Sequence, residues 1–323
     1  MGRRRADRSH GVLVVDKPTG VSSQDVVTRV RLRLGVRSAG HTGTLDPLAT
    51  GVLPICFGQA TKIAQWLLAD DKQYTCECEL GVTSTTLDSE GEVTRVAAVD
   101  AVDPVALEAA LAGLRGPIEQ VPPMHSAIKI DGHRLHELAR EGVDVAPPAR
   151  AVRVDRLEVL AIAGPRITLA VACSKGTYVR ALVRDLGAAL GTGAVVTALR
   201  RTASGGFTEA MAVPMGQIDR RTAEARLIPV RVALGLPEVP VADGAQADVI
   251  NGHEARLTRF AEGFAEGERF QIVTERGDTL AVCERRAGRT FVHRVLVYEP
   301  LDDRAVVPHS APLKQPGHEP GPD

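Results

Sequence analysis

Alternation and helical spacing of apolar residues indicate that this chain mixes strands with helices. Residues 11–15 form a short continuous apolar run, which is typical of a buried strand. Apolar residues then recur at helical spacing over 26–34, with Ser22 or Ser23 in place to cap the helix and Gly35 to end it. The first forty residues therefore predict a strand followed by an amphipathic helix.

The middle of the chain continues this mixture, and it predicts strands at 52–57, 72–80, 152–163 and 166–173 and helices at 59–68 and 103–115. In the strand at 72–80, apolar and polar residues alternate so that Tyr74 faces the packed side. Gly164 and Pro165 form the turn between the last two strands. A further helix is predicted after residue 173, with Ser174 or Thr177 as its cap. The pattern predicts an α+β fold with a mixed or antiparallel sheet.

The chain changes character twice towards its C-terminus. Proline and valine concentrate at Pro237 to Pro240, which predicts a linker, and short alternating segments with glycine turns follow over 241–300. From residue 301 to 323 the chain is rich in Pro, Gly and His, which is typical of a disordered tail. We therefore expect a basic extension at 1–10, a main domain at 11–235, a small all-β domain at 241–300 and a tail.

The amino-acid composition says less about fold and function than the hydrophobic pattern does. The 323 residues, 44% of them hydrophobic, are enough for about two domains. A formal net charge of −1 gives no overall indication of a nucleic-acid partner. The first 70 residues, however, hold ten Lys or Arg against five Asp or Glu, and Arg29, Arg31 and Arg33 follow one helix. These arginines are either a phosphate-facing stripe or an ordinary solvated helix face.

The cysteines and the N-terminus indicate a protein of the reducing cytoplasm. Five scattered cysteines without a CxxC pair predict neither a disulfide framework nor a zinc site. The apolar run after the basic start is too short for a signal peptide or a membrane span. We expect a cytoplasmic protein without a membrane partner.

One stretch, GHTGTLDPLATG at 40–51, differs from all the predicted helices and strands. Its only carboxylate, Asp46, precedes Pro47, which disfavours helical backbone at the aspartate. Gly40, Gly43 and Gly51 permit positive φ and close approach by another backbone. The stretch is either an ordinary Asp-Pro turn or a loop that presents one carboxylate to a ligand.

This stretch resembles the catalytic motif of the bacterial tRNA pseudouridine(55) synthases, the family that isomerises a uridine in the T-loop of tRNA. Further blocks occur in the family's order: GVLVVDKPTGVSSQDVV at 11–27, the Tyr74 strand, CSKGTYVRALVRDLG at 173–187 and LRRTASGGF at 199–207. The resemblance covers about residues 10–230. Several separated blocks are far more specific than a single motif.

The resemblance implies a role for each matching residue. Asp46 would be the catalytic carboxylate, paired with Arg180, and Tyr74 would stack on a uracil that has left the RNA stack. Tyr178 would be a wall of the pocket or a late proton acceptor. The remaining implied substrate contacts are His41, Lys17, Leu199 and, from the loosely matching TSTTLDSEG segment, Asp88.

The chain departs from the family pattern at a few positions. Gln24 stands where the family has histidine, and His125 and His136 stand where it usually has tyrosine. We assign Gln24 no role, and the two histidines weaken any argument from aromatic packing there.

The resemblance also implies the site's surroundings. The sheet would be crossed by a cleft in which the Asp46 loop faces the Tyr74 strand and the start of the Arg180 helix, and the C-terminal domain would be PUA-like. The reaction requires no metal and no other cofactor, and the partner would be the T-loop of tRNA, bound by a monomer.

Two other functional hypotheses are compatible with the same residues. One is a synthase directed by a guide RNA or acting on ribosomal RNA, and the other is an RNA-binding or tRNA-folding factor in which catalysis is secondary. An aspartate-dependent hydrolase would need a second carboxylate or a metal, for which the sequence offers no suitably spaced companion.

Overall fold

The computed structural model describes residues 10–126, 129–130, 133–135, 147–251 and 257–296. The expected N-terminal extension, apart from its last residue, and the expected tail lie outside these residues, as does His136.

Most of the described strands belong to one large sheet. The strands are β1 Gly11–Lys17, β2 Ala39–His41, β3 Thr50–Phe57, β4 Lys72–Leu80, β5 Val82–Ser84, β6 Val93–Arg95, β7 Gly116–Gln120, β8 Lys129–Ile130, β9 His133–Arg134, β10 Arg150–Ala163, β11 Arg166–Cys173, β12 Ala194–Ser204, β13 Phe207–Thr208, β14 Val213–Pro214, β15 Glu238–Val241, β16 Arg269–Thr274, β17 Thr279–Arg286 and β18 Arg289–Val295. Ten of them form a sheet in the order β14-β1-β3-β12-β4-β11-β10-β7, with β2 beside β3 and β13 beside β12. Most neighbours are antiparallel, whereas β1 with β14 and β3 with β12 are parallel. The expected mixed sheet is confirmed.

The helices lie between these strands: α1 Ser23–Leu34, α2 Ala64–Leu68, α3 Pro104–Ala112, α4 Val179–Ala189, α5 Arg220–Arg226, α6 Val230–Leu234 and α7 Gln246–Ile250. Helix α1 begins as predicted, because Ser22 and Asp25 cap each other's backbone amide, and it ends at Gly35 with a φ of 67°. The helix predicted at 59–68 is instead a 3₁₀ segment, Gly58–Ile63, followed by α2. No described helix is both long and apolar enough to cross a membrane.

The cap predicted for α4 is wrong. The helix begins after Tyr178, whose side chain makes no capping hydrogen bond. The Thr177 hydroxyl donates instead to the Ser174 carbonyl at 2.9 Å, so these two residues close the turn that precedes the helix. This turn places Arg180 in the first turn of α4.

Both faces of the large sheet are covered at β1. Leu13 and Val15 pack into the core beneath α1 and α4, while Val12 and Val14 pack on the opposite face. All four side chains are completely buried. A strand that is buried on both faces needs a continuous apolar run, and this is the pattern at 11–15.

The C-terminal β module is a second sheet in the order β15-β16-β17-β18, with its own core around Phe270 and Ile272. The prediction of a linker at Pro237 to Pro240 is wrong, because β15 occupies 238–241 and pairs in parallel with β16. Pro240 is tolerated there because β15 lies at the sheet edge, where one amide is not needed for pairing.

The two sheets also share a core. Val282 and Leu296 from the C-terminal module are completely buried among residues of the large-sheet region that include Val12, Val14 and Ile63. Gln271, also completely buried, donates from Nε2 to the carbonyls of Arg231 and Leu236, both at 3.0 Å. This packing joins the C-terminal module to the large-sheet domain through one shared core.

We therefore expect a chain that ends at Gly235 to be strongly destabilised. Each aliphatic side chain that loses its cover forfeits up to about 1.5–3 kcal/mol, and several such losses rival the net stability of about 5–15 kcal/mol of a whole domain. Thermal unfolding of this truncation, compared with a control chain that ends at Leu296, measures the effect. Equal melting temperatures for the two chains would show that the shared core is not needed for stability.

Candidate active site

The loop that carries Asp46 joins two paired strands. Strands β2 and β3 are antiparallel neighbours, and residues 42–49 connect them, leaving the sheet after His41 and returning at Thr50. Leu45 and Ala49 are buried on either side of Asp46, whose own side chain stays 33% exposed. The amide of Ala49 donates to the carbonyl of Asp46 at 3.1 Å and closes the turn. The loop thus holds its two ends in the core and turns one carboxylate outward.

Two buried polar side chains from the first block of the chain hold this loop. Ser23 donates to the Leu45 carbonyl at 2.9 Å and accepts from the Leu45 amide at 2.8 Å. Lys17 has no exposed surface, and its Nζ donates to the carbonyls of Pro18, Pro47 and Ala49. Burial lowers the pKa of Lys17 to about 8. The placement of Lys17 argues against the expected substrate contact, because its ammonium group is enclosed by backbone carbonyls.

Arg201 supports the same loop from the other side. It is 1% exposed and donates from Nε to the Val52 carbonyl at 2.7 Å and from Nη2 to the Gly43 carbonyl at 3.1 Å. Gly51 has a φ of 97°, and a Cβ there would lie 2.3 Å from the Arg201 carbonyl oxygen. Gly43 and Gly51 therefore need to be glycine, whereas Gly40 has neither a positive φ nor a close neighbour, contrary to expectation.

Arg180 pairs with two aspartates in the cleft. Its Nε lies 2.9 Å from Asp46 Oδ2, and its Nη1 lies 3.4 Å from Asp88 Oδ2. The guanidinium also donates to the carbonyls of Thr86 at 2.7 Å and His125 at 2.9 Å, and it is 4% exposed. The expected pairing of Asp46 with Arg180 is present, and Asp88 adds a second, buried carboxylate to the same guanidinium.

Burial decides the protonation tendency of Asp46. Desolvation raises the pKa of Asp46 above 3.8, although the Arg180 guanidinium opposes the rise; the nearby Asp88 carboxylate adds to it. An arginine partner by itself would lower the pKa of Asp46, but here the effect of burial is larger. Asp46 therefore ionises less readily than a surface aspartate does.

Two tyrosines flank this carboxylate. Tyr74 on β4 and Tyr178 before α4 are half-buried, and burial raises the pKa of both hydroxyls, with the Asp46 charge contributing to each rise. Gln120 fixes the backbone of Tyr178, donating to its carbonyl at 3.2 Å and accepting from its amide at 2.8 Å. The structure therefore brings Tyr74, Tyr178 and Arg180 around Asp46 from three separate sequence blocks.

His41 and Leu199 occupy the margins of the site. His41 on β2 is half-buried, accepts from the Gly43 amide at 3.3 Å through Nδ1, and has a pKa that burial and then the Arg201 charge lower. Leu199 lies on β12 opposite Cys76 and is 8% exposed. His41 is thus a neutral side chain beside the loop, and Leu199 is chiefly a core residue with a small accessible surface.

Sequence reasoning missed the supports of the site. The sequence predicts no role for Arg201 or Gln120, and it predicts Ser23 only as a helix cap. The one available signal was the pair Arg200 and Arg201 on a single strand, because successive strand residues face opposite sides and one of two arginines must then point inward. Gln120 gave no comparable signal.

Only part of the arginine stripe on α1, which consists of Arg29, Arg31 and Arg33, is available to contact phosphates. Arg33 donates to the carbonyls of Met215, Gly216 and Ile218, so it ties α1 to a later segment. Arg29 is exposed. Elsewhere in the described chain, no cluster of three or more His, Cys, Asp or Glu could hold a metal ion.

Comparison with known proteins agrees with this geometry. The model of the TruB family pseudouridylate synthase N-terminal domain matches residues 31–179, and that of the tRNA pseudouridylate synthase B C-terminal domain matches 180–229. A tRNA pseudouridine synthase B of Pseudomonas paraeruginosa is 53% identical over 66% of this chain and 70% of its own length. Another from Burkholderia pseudomallei is 43% identical over 92% and 99%.

A solved structure extends the likeness through the C-terminal module. A chain in the crystal structure of a Cbf5-Nop10-Gar1 complex is 26% identical, with a TM-score of 0.66 over 89% of this chain and 85% of that one. The aligned 89% of this chain is more than residues 11–235 alone can supply, so the likeness includes the small C-terminal sheet. The expectation that this sheet forms a PUA-like domain is confirmed. The fold and the site define a pseudouridylate synthase. The chain belongs to the TruB family.

Proposed function

We propose that this protein isomerises a uridine of tRNA to pseudouridine, and that the target is position 55 in the T-loop. The observation that carries the proposal is the Asp46 carboxylate, one-third exposed in the cleft, paired with Arg180 and flanked by two tyrosines. The 43–53% identity to proteins named tRNA pseudouridine synthase B supports the same substrate class.

The chemistry fits a single accessible carboxylate. The isomerisation breaks the N1–C1′ bond and forms a C5–C1′ bond, so no water or other group is added. Asp46 supplies either a nucleophile or a base for this rearrangement. Asp88 is only 3% exposed at its side chain, so it is not available as a second carboxylate towards substrate. This separates the site from a hydrolase, which uses two accessible carboxylates or a metal.

The aromatic residues act on the base. The uracil must leave the RNA stack before Asp46 can reach it, and Tyr74 then stacks on the flipped base, an interaction worth about 1–3 kcal/mol. Tyr178 closes the opposite side as a wall or a late proton acceptor. Its raised pKa keeps the hydroxyl protonated, so Tyr178 can accept a proton late in the reaction only after another base has removed its own. His41, neutral and beside the loop, fills the space that the flipped nucleotide leaves.

The remaining residues position these groups. Lys17 holds the Asp46 loop through the Pro47 and Ala49 carbonyls, Asp88 orients the Arg180 guanidinium, and Leu199 forms an apolar floor. We also propose that the protein acts as a monomer in the cytoplasm and that the site needs no cofactor. The guide-directed alternative is disfavoured, because this chain is only 26% identical to the Cbf5 chain but 43–53% identical to the proteins named tRNA pseudouridine synthase B.

Incubation of the purified chain with a T-arm stem-loop RNA, without any guide RNA or partner protein, tests the proposal. We expect pseudouridine at the T-loop target, detected by tritium release from 5-tritiated uridine. A stem-loop with cytidine at that position is the control and should release no tritium. RNA binding without pseudouridine formation would favour the binding factor instead. Formation only after a guide RNA is added would favour the guide-directed enzyme.

A further inference from the structure

Arg201 carries a buried positive charge that no proposed catalytic step uses. Among the described residues it forms no ion pair with a carboxylate, and it donates hydrogen bonds to the Val52 and Gly43 carbonyls. Arg200, its neighbour in the chain, faces the other way and pairs with Asp16 and Glu209 at 38% side-chain exposure. A buried charge is costly unless its donors are satisfied, so the inward placement of Arg201 needs an explanation.

The contacts of Arg201 join three parts of the site. The Gly43 carbonyl belongs to the loop that carries Asp46, and the Val52 carbonyl belongs to the strand by which that loop returns. Tyr74 lies directly opposite Arg201 on the neighbouring antiparallel strand, within side-chain reach. The guanidinium therefore lies between the carboxylate loop and the stacking ring.

The charge also acts on neighbouring titratable groups. Burial lowers the pKa of Lys72 to about 8, with Arg201 adding to the effect, and burial followed by Arg201 lowers the pKa of His41. Burial raises the pKa of the Tyr74 hydroxyl, and Arg201 opposes that rise by its charge and by a hydrogen bond. These effects agree with a cation placed among the side chains of the site.

We propose that Arg201 is a positioning residue for the isomerisation: its guanidinium fixes the Gly43 end of the Asp46 loop against Tyr74. The planar fork satisfies two carbonyls in fixed directions, which an ammonium group on a flexible stem cannot do. The inference rests on the proposed function, because only a reaction at Asp46 with a base stacked on Tyr74 requires their separation to be constant. Displacement of reacting groups by about 1 Å can cost about 100-fold in rate.

Arg201→Lys tests the proposal, because it keeps the charge and removes the fork. At saturating T-arm RNA we expect the single-turnover rate to fall by about 10- to 100-fold while RNA affinity changes less than about twofold. Arg200→Lys is the matched control on the same strand and should stay within about twofold of wild type in both measurements. An Arg201→Lys rate equal to that of the control would overturn the proposal.

A double-mutant cycle with Tyr74→Phe separates positioning from general stability. Tyr74→Phe keeps the ring but removes the hydroxyl that faces Arg201, so it should slow the saturated rate without weakening RNA binding. If Arg201 acts through Tyr74, the two losses are not independent, and the double variant should be no slower than the slower single variant. Fully multiplicative losses would show that Arg201 does not act through Tyr74. If Arg201→Lys does not fold, Tyr74→Phe decides alone, and a wild-type rate for it would overturn the proposal.

A titration without RNA distinguishes failure of this inference from failure of the proposed function. In Arg201→Gln, loss of the nearby cation should raise the pKa of His41, followed by NMR of labelled histidine, whereas Arg200→Gln should leave it unchanged. An unchanged pKa in folded Arg201→Gln would refute the placement of Arg201, whatever the enzyme activity. Absence of pseudouridine from the wild-type reaction would instead refute the proposed function and leave this placement standing.

Discussion

Asp46→Asn is expected to bind T-arm RNA with nearly wild-type affinity and to form no detectable pseudouridine. Asparagine has the same shape and keeps one acceptor for Arg180, so the cleft should stay open to RNA. It lacks the negative charge that makes Asp46 a nucleophile or base, so the rate should fall by at least about 10⁴-fold, on the scale of other enzymes that lose their reacting group.

The same substitution should leave stability unchanged or higher. Burial raises the pKa of Asp46 in the folded state, so the folded protein holds this proton more tightly than the unfolded chain does. Above the folded pKa the ionised group therefore disfavours folding, and this cost shrinks as the pH falls from the folded pKa to the unfolded pKa. A neutral asparagine avoids the cost at every pH.

Three measurements on Asp46→Asn check this pair of expectations: tritium release, RNA affinity at fixed moderate salt, and melting temperature. The salt must be fixed because phosphate contacts make RNA affinity depend on it. Asp71→Asn is a matched control, since Asp71 is a surface aspartate, 58% exposed, that pairs with Arg153. Wild-type pseudouridine yield from Asp46→Asn would refute its catalytic assignment. A large fall in its melting temperature would contradict the direction of the pKa shift.

Arg180→Met is expected to combine the largest loss of stability with a shifted pH profile. Methionine fills similar space but leaves Asp46 and the buried Asp88 without their common partner. Removing one member of a buried charge group typically costs about 3–5 kcal/mol, because the remaining charge is left uncompensated. Arg184→Met, one turn further along α4, removes a partly exposed arginine paired with Asp185 and should cost about 1 kcal/mol or less.

The pH profile of Arg180→Met follows from the same charges. The reaction needs ionised Asp46, so the wild-type rate should fall as the pH drops through the raised pKa of this group. Without the opposing guanidinium the pKa of Asp46 rises further, and the acid limb of the rate profile should move to higher pH. Activity lost at pH 7 should then be partly recovered in more alkaline buffer, as tritium release against pH will show.

A second substitution distinguishes charge from packing. Arg180→Met with Asp88→Asn leaves only one unpaired carboxylate, so part of the lost stability should return while the activity at neutral pH stays low. An unfolding free energy of Arg180→Met equal to that of the Arg184→Met control would contradict the description of Arg180 as the common partner of Asp46 and Asp88. An unmoved acid limb would show that Arg180 does not control the ionisation of Asp46.

The local elements of this protein were largely predictable from its sequence. The apolar run of β1, the capped helix α1 with its glycine end, and the hairpin of β10 and β11 each depend on residues that are neighbours in the chain. Such signals act over a few residues, so they can be interpreted without knowing the fold. The groups Asp46, Tyr74 and Arg180 were also identified, but by their resemblance to motifs and not by local physics.

Tertiary structure alone decided the environment of these groups. Lys17 and Arg201 resemble surface cations in the sequence, yet both are buried beneath the Asp46 loop, and β15 forms where proline and valine predicted a linker. The direction of the Asp46 pKa shift likewise depended on how much water the cleft excludes. Burial is set by segments that are distant in the chain, such as β1 with β17, and no local pattern records which segments will cover one another. The sequence by itself therefore determined which groups can react, and the fold determined what charge they carry and what holds them in place.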